Sequence, residues 1–336
     1  MTGQTTSKQD AGAVSSPDVL VSVVTVLQND DDILQGLIAD LTSALSAHYQ
    51  FYEIVLVDNA SSDGTVRRIE ELQSKVPNLR LIRLSRRYSL EVAIAAGLDS
   101  CIGDFVGIIE ADRTPIPALM EFFDTAIGNC HMVVGRDETQ KASGLRWKLR
   151  IAAFSLTSRI LKLHLDPSVS NFRVLSRQVV NSITRIRSKK RYLAYLSVMI
   201  GFSQAVVPYS PQHRRPADKQ RKAHPSLRQP LDILLSNSAF PLRAAAVVGL
   251  TASGLNILYF GYIFAVTLIK RKLAEGWLTL SLTSTTMFFA LFLILAILSE
   301  YVARILEETK EQPLYFIEYE THSRVSSEAD SRLNVT

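Results

Sequence analysis

Residues Val19 to Leu27 read VLVSVVTVL, a nearly unbroken β-branched run. Continuous apolar strands of this kind sit inside parallel sheets covered on both faces. A helical period follows from about Asp32 to Tyr49, then a second apolar strand over Glu53 to Val57. That strand runs into Asp58-Asn59-Ala60-Ser61-Ser62-Asp63-Gly64-Thr65, whose turn residues open a helix from Thr65 to about Val76. A third strand over Leu79 to Leu84, a helix from about Leu90 to Cys101 and a fourth strand over Phe105 to Ile109 continue the alternation, which ends in Glu110-Ala111-Asp112. Strands alternating with helices over short connections predict an α/β fold with a doubly wound, mostly parallel sheet. Ligands of such sheets lie at the carboxyl ends of the strands. The chain gathers Asn29, Asp58, Arg86 and Asp112 at those ends.

The pattern changes towards the C-terminus. Leu242 to Ile269 is apolar apart from Arg243, and Leu278 to Leu298 is apolar throughout or weakly polar. At about 1.5 Å per helical residue, either stretch crosses a hydrocarbon core of ~30 Å. Trp277 and Tyr301 stand where interfacial aromatics are expected. The expectation is a hairpin of two transmembrane helices over 242–300, preceded by an amphipathic juxtamembrane segment over 227–241 and followed by a tail over 301–336. Residues 1–18 are polar, without the apolar core of a signal peptide, and read as a disordered start to the soluble domain over 19–226.

Charge adds a preference for acidic partners. The net charge is +5, and residues 136–228 hold twenty Lys and Arg against four acids. A basic block just ahead of apolar spans suits phosphates or anionic lipid headgroups. Nucleic acid is not expected, since no aromatic interleaving or recognised module accompanies the block. Lys270, Arg271 and Lys272 in the short connection pull the topology one way and the larger upstream block the other. The expectation is that both termini and the soluble domain lie on the cytoplasmic side of the inner membrane. Two cysteines, Cys101 and Cys130, exclude a disulfide scaffold and fit a reducing compartment. The six His show no metal-ligand spacing, and no phosphate-binding P-loop motif occurs.

Val21-Ser22-Val23-Val24 with Asn29, followed by Val57-Asp58-Asn59-Ala60-Ser61-Ser62-Asp63-Gly64-Thr65, resembles the opening of the inverting family 2 glycosyltransferases. The resemblance is nearer to their polyprenyl-phosphate subgroup, the GtrB-like glucosyltransferases and dolichyl-phosphate mannose synthases. It continues through Leu84-Ser85-Arg86, Ala96-Gly97-Leu98, Gly103-Asp104 and Phe172-Arg173-Val174-Leu175-Ser176-Arg177. It reaches Ser299-Glu300-Tyr301-Val302, Glu307-Glu308-Thr309-Lys310 and Pro313-Leu314-Tyr315. The resemblance implies a GT-A-like domain that transfers a sugar from a UDP- or GDP-linked donor to a polyprenyl phosphate. By the same resemblance Asn29, Asp58, Asn59, Asp63 and Arg86 bind the nucleotide. Asp112, Glu110, Asn171 and Arg173 are the candidate catalytic residues; Asp112 and Glu110 hold Mg²⁺ or Mn²⁺ at the diphosphate, and Arg173 is also a candidate phosphate contact. Partners are then the donor, the lipid-phosphate acceptor and membrane lipid, with a homo-oligomer possible.

Departures from the family pattern bear on the chemistry. The family's Asp-Ala-Asp-Leu-Gln-Asp-Pro-Pro stands here as Glu110-Ala111-Asp112-Arg113-Thr114-Pro115-Ile116-Pro117. Arg113 brings a guanidinium suited to diphosphate. Asn171 occupies the position of the candidate general base, and an amide accepts no proton at neutral pH; Asp166 is an alternative. A phosphate acceptor is already largely ionised near neutral pH, with a second pKa of about 6, so it needs little base. In the basic loop the family's Arg-x-x-Gly-x-Ser-Lys-Tyr aligns loosely, starting at Arg214 or Arg215, with Lys219 as a second cation for the lipid phosphate. Glu110, Thr114 and Asn171 also leave open a non-catalytic membrane scaffold that keeps the fold, and a tethered enzyme with a soluble acceptor is a third reading.

Overall fold

The computed structural model describes residues 19–139, 145–161, 166, 168–186, 193–216, 247, 249, 251, 254, 255, 258, 277–309 and 313–323. They belong to two compact units, one made of Met1–Lys148, His164–Pro225 and Pro313–Thr336, the other of Leu149–Leu163 and Ser226–Gln312.

The first unit is built on one eight-stranded sheet. Its strands are β1 (Leu20–Leu27), β2 (Phe51–Asp58), β3 (Leu79–Leu84), β4 (Phe105–Ile109), β5 (Met132–Asp137), β6 (Val169–Ser176), β7 (Gln204–Tyr209) and β8 (Ile317–His322). Their spatial order is β7-β5-β6-β4-β1-β2-β3-β8. The helices are α1 (Asp31–His48), α2 (Thr65–Gln73), α3 (Leu90–Ser100), α4 (Ile116–Asn129), α5 (Leu145–Leu161), which belongs to the second unit from Leu149 onwards, α6 (Arg177–Arg185) and α7 (Leu193–Met199). β1 pairs in parallel with β2 and β4, and β2 with β3, so the first half matches the expected doubly wound pattern. The second half departs from it. β6 runs antiparallel to both β4 and β5, and β8 runs antiparallel to β3, which makes the sheet mixed.

The period-2 alternation within β1 assigns its faces. Val21 and Val23 join the cluster formed by Leu34, Leu37 and Leu41 of α1 and Leu119, Phe122 and Phe123 of α4. Val24 faces the other way, where α3 comes so close that a Cβ on Gly97 would lie 2.3 Å from the Val24 Cγ1. Only a residue without a side chain allows that approach. Phe122 stacks on Phe172 of β6 at 4.2 Å between ring centroids, which ties α4 to the antiparallel half.

The segment expected as a tail is part of this sheet. After residue 316 the chain enters β8, which pairs with β3 from Arg80↔His322 to Leu84↔Ile317 and closes that edge.

In the second unit, helix α8 (Trp277–Thr309, 33 residues) covers the whole of the second expected span. Most of the first expected span, Leu242–Ile269, lies outside the described residues. Val247, Gly249, Thr251, Gly254, Leu255 and Leu258 within it are helical. A Cβ on Gly249 would lie 2.5 Å from Cδ1 of Ile294, so backbone and helix α8 meet directly there. Among the described residues alone, no helix is long and apolar enough to cross a membrane.

Candidate functional site

The carboxyl ends of β1 and β2 are stitched into one surface. Asn29 and Ala60 adopt left-handed backbone, at φ 56° and 55°, which lets each loop turn sharply out of its strand. The Asn29 N–H donates to Oγ of Ser61 at 3.0 Å, and its Oδ1 accepts from the Ser62 N–H at 2.8 Å. Asp58 is fully buried at the end of β2 and accepts from the Ser61 N–H at 3.2 Å and 3.3 Å. Burial raises its pKa, and the Ser61 bonds and Arg83 oppose that shift without cancelling it. Asp63 has the opposite balance. Its modest burial pushes the pKa up, but Oδ1 accepts from the Thr65 N–H at 3.0 Å and the Thr65 hydroxyl at 2.5 Å, and the net shift is downward. Two carboxylates five positions apart thus differ in environment: one dry and costly to ionise, the other hydrogen-bonded in the turn that leads into α2.

The β3–α3 loop borders this surface through Asn59. The Asn59 Oδ1 accepts from the Tyr88 N–H at 2.8 Å, while its Nδ2 donates to the Tyr88 carbonyl at 3.0 Å. Both ends of the amide are therefore spent on holding a neighbouring loop. Arg86 is exposed and lies over the Tyr88 ring at 4.9 Å from the centroid.

At the end of β4 the chain turns tightly. The Glu110 N–H donates to Oγ1 of Thr114 at 2.9 Å, and the Arg113 and Thr114 N–H groups donate to the Glu110 carbonyl. Thr114 thus locks the turn. Arg113 does not stand free for a diphosphate: it donates to Asp137 of β5 at 2.8 Å and lies 3.5 Å from Glu110. Glu110 is raised in pKa by burial, against the pull of Arg113 and of a hydrogen bond from the Asn171 N–H.

Asp112 has other partners, all from the segment that follows β7. Its Oδ1 accepts from the Arg215 N–H at 2.9 Å, its Oδ2 lies 3.1 Å from Nδ1 of His213, and its carbonyl accepts from the Arg214 N–H. The same segment is anchored further out, where Arg214 reaches Asp40 at 2.7 Å. Arg215 is buried, donating to Asp30 and to both oxygens of Asp32 at 2.7 Å to 3.0 Å and to the Asn29 carbonyl at 3.2 Å. Those carboxylates raise its pKa further against desolvation. At Arg215, where a lipid-phosphate contact is expected, the guanidinium clasps the acidic β1–α1 loop. Lys219 lies outside the described residues.

Arg173, a candidate phosphate contact in the sequence, is 0% exposed inside the sheet. Its guanidinium donates to the Ser170 and Asn171 carbonyls and to Oγ of Ser197, and burial lowers its pKa to about 10 despite Glu110. Asn171 sits on β6 with its backbone against Glu110. Asp166 caps its own turn, accepting from Ser168 at 2.5 Å and 2.8 Å and from Arg136 at 2.9 Å.

The fold thus brings Asn29, Asp58, Asn59, Asp63 and Arg86 to one stretch of loops and adds Asp112 from β4. It commits Arg113, Arg173 and Arg215 to structural partners. His213 was missed, because a lone His between Gln212 and Arg214 carries no ligand spacing. Asp30 and Asp32 were missed as well, although the Asp30-Asp31-Asp32 run after β1 is a visible signal. Beside His213 opens a cleft of about 770 Å³ between α1 and α4, with Ile116 and Met120 on its floor and Asp40, Asp124 and Arg214 at its rim. Carboxylate and imidazole donors together suit a divalent cation, although among the described residues no three His, Cys, Asp or Glu side chains stand together for one.

Residues 22–184 match the model of the family described as Glycosyl transferase family 2. The chain is 24% identical over 305 residues to an uncharacterized glycosyltransferase, YkcC, of Bacillus subtilis, covering 90% of this chain and 94% of that one. It is 26% identical over 270 residues to a bactoprenol glucosyl transferase of Shigella phage SfV, covering 80% and 88%. A glucosyl-3-phosphoglycerate synthase of Mycobacterium tuberculosis, solved with Mn²⁺, UDP and phosphoglyceric acid, is similar at 18% identity and a TM-score of 0.47, covering 65% and 78%.

Proposed function

We propose that this chain, which belongs to glycosyltransferase family 2, transfers a sugar from a UDP- or GDP-linked donor to a polyprenyl phosphate at the cytoplasmic face of the inner membrane. The observation that carries the reading is the convergence of Asp58, Asp63 and Asp112 at the carboxyl ends of β2 and β4, where an open α/β sheet binds its ligand. The names of the bactoprenol glucosyl transferases at about a quarter identity support the lipid acceptor. Asp58 and Asp63 hold the nucleoside, and Arg86 faces its phosphate side. Asp112, with Glu110 at the same turn and His213 beside it, would hold Mg²⁺ or Mn²⁺ at the diphosphate. When bound, the ion neutralises charge on the leaving diphosphate. Asn171 accepts no proton, and an acceptor phosphate that arrives ionised makes none necessary.

Membrane attachment belongs to the same reading. Phe288, Phe289 and Phe292 of α8 are 58%, 71% and 65% exposed, and Leu291, Leu293, Leu295 and Leu298 project beside them. A helix that leaves so many apolar side chains exposed is at home in lipid. The hairpin over 242–300 supplies that anchor, and Lys219 is a candidate cation for the acceptor phosphate.

A second reading, a non-catalytic relative, is favoured by one observation: Asp112 is already bonded to the Arg215 N–H and His213, and Glu110 to Arg113. The deciding assay presents full-length protein in detergent with labelled UDP- and GDP-sugars, Mg²⁺ or Mn²⁺, and polyprenyl phosphate. Label in the lipid phase that is lost in Asp112→Asn supports the enzyme. Nucleotide binding without transfer to any lipid phosphate supports the scaffold, and transfer to a soluble sugar acceptor alone overturns the lipid assignment.

A further inference from the structure

Strand β8 does more than close the sheet. In a regular antiparallel ladder Glu318 and Tyr319 point to opposite faces. Here the register shifts between Arg83 and Leu84, with Arg83 opposite Tyr319 and Leu84 opposite Ile317, so Glu318 is the bulged residue. The bulge turns its carboxylate onto the same arginine that Tyr319 meets. Nε of Arg83 lies 3.0 Å from Glu318, its NH1 donates to the Tyr319 hydroxyl at 3.4 Å, and its side chain crosses the Tyr319 ring at 5.6 Å. On its other side Nε lies 4.0 Å from the buried Asp58 carboxylate. A second link runs one strand end away. The Phe316 N–H donates to the Tyr88 hydroxyl at 3.1 Å and the Phe316 carbonyl accepts from the Ser85 N–H at 3.0 Å, while Tyr88 is held in turn by Asn59.

We propose that β8 is a positioning element of the nucleoside subsite: Glu318 and Tyr319 hold Arg83 against Asp58, and the Phe316 backbone holds the Tyr88 loop against Asn59. The inference rests on the reading above that Asp58 binds the nucleoside of a nucleoside diphosphate. Arg83 is then a positioning residue, acting through Asp58. Its cation sits where it partly offsets the cost of ionising a buried carboxylate, and its own place is set by a strand that arrives from more than two hundred residues away in the chain.

The test uses full-length protein in detergent and isothermal calorimetry with UDP and GDP in Mn²⁺, beside the thermal midpoint of each variant. Arg83→Gln and the double variant Glu318→Gln/Tyr319→Phe are expected to weaken binding of the preferred diphosphate about tenfold, or about 1.4 kcal/mol. Arg83→Lys recovers part of that loss. Glu320→Gln is the control: it removes the ion pair to Arg80 on the same two strands, away from Asp58, and is expected to leave affinity within about twofold. Unchanged affinity in Arg83→Gln overturns the proposal, as does an equal loss in Glu320→Gln, which makes β8 a mere edge. Wild type that binds a diphosphate but transfers nothing to polyprenyl phosphate sinks the acceptor assignment and leaves this inference standing. Wild type that binds neither diphosphate overturns both.

Discussion

The carboxylate of Asp112 and the imidazole of His213 meet at 3.1 Å across 101 positions of sequence. His213 thereby brings an imidazole to the end of β4, and it stands at the edge of the α1–α4 cleft. Replacing it with Ala is expected to lower Mn²⁺-dependent nucleotide affinity ~10- to 100-fold, the usual consequence of losing a metal-site partner. Calorimetric titration of nucleotide with and without Mn²⁺ checks this; the metal-free affinity should stay where it is.

Arg215 and Asp30 form a pair in which both side chains are nearly buried, at 5% and 4% exposure. Arg215→Ala leaves Asp30 without its guanidinium in a dry place, at a cost of about 3–5 kcal/mol. Arg215→Lys recovers only part, because an ammonium lacks the fork that reaches Asp30 and both oxygens of Asp32 together. Urea unfolding of the two variants measures the difference.

Arg173 is enclosed by two carbonyls and a hydroxyl. Arg173→Ala removes their donor and opens a cavity at once, and is expected to cost on the order of 3 kcal/mol or more. Arg173→Met fills the volume without a buried charge and should cost clearly less. Were Arg173 instead a phosphate contact, the Met variant would keep its stability and lose nucleotide affinity; thermal midpoints and affinities measured side by side separate the two roles.

Asp58 carries a pKa raised above its unfolded value, chiefly by burial. A shift in that direction favours folding only below the unfolded pKa, and the benefit is lost as pH rises through the folded one. Ionised Asp58 is thus a burden on stability at neutral pH. Asp58→Asn is expected to melt higher than wild type at pH 7, with the gap closing under acid conditions. Nucleotide affinity should fall about tenfold or more in the same variant, since a charged acceptor is exchanged for a neutral one.

The first half of the fold could be read from particular stretches. The β-branched run of β1, the strand that ends in Asp58 and the helix that starts at Thr65 each carry their structure in local pattern, because a strand covered on both faces must be apolar throughout. β8 could not be read that way. Its sequence, Ile-Glu-Tyr-Glu-Thr-His, has the polar composition of a tail, and its pairing with β3 depends on residues 79–84 far away. The arginines divide similarly. Arg86 lies where the loop pattern put it, whereas Arg113, Arg173 and Arg215 carry the charge expected of phosphate ligands and spend it on Asp137, backbone carbonyls and Asp30 with Asp32. Charge is a property of the residue; its partner is a property of the fold.

By itself, the sequence determined the α/β alternation, the carboxylates at the ends of β2 and β4 and the apolar character of 278–298, since each follows from spacing over a few residues. Only the tertiary structure decided that Asp112 meets His213, that Arg215 clasps the β1–α1 loop and that β8 reaches Asp58 through Arg83. Those contacts join segments separated by about a hundred residues or more, and no local period encodes which distant side chain will supply a buried charge with its counter-ion.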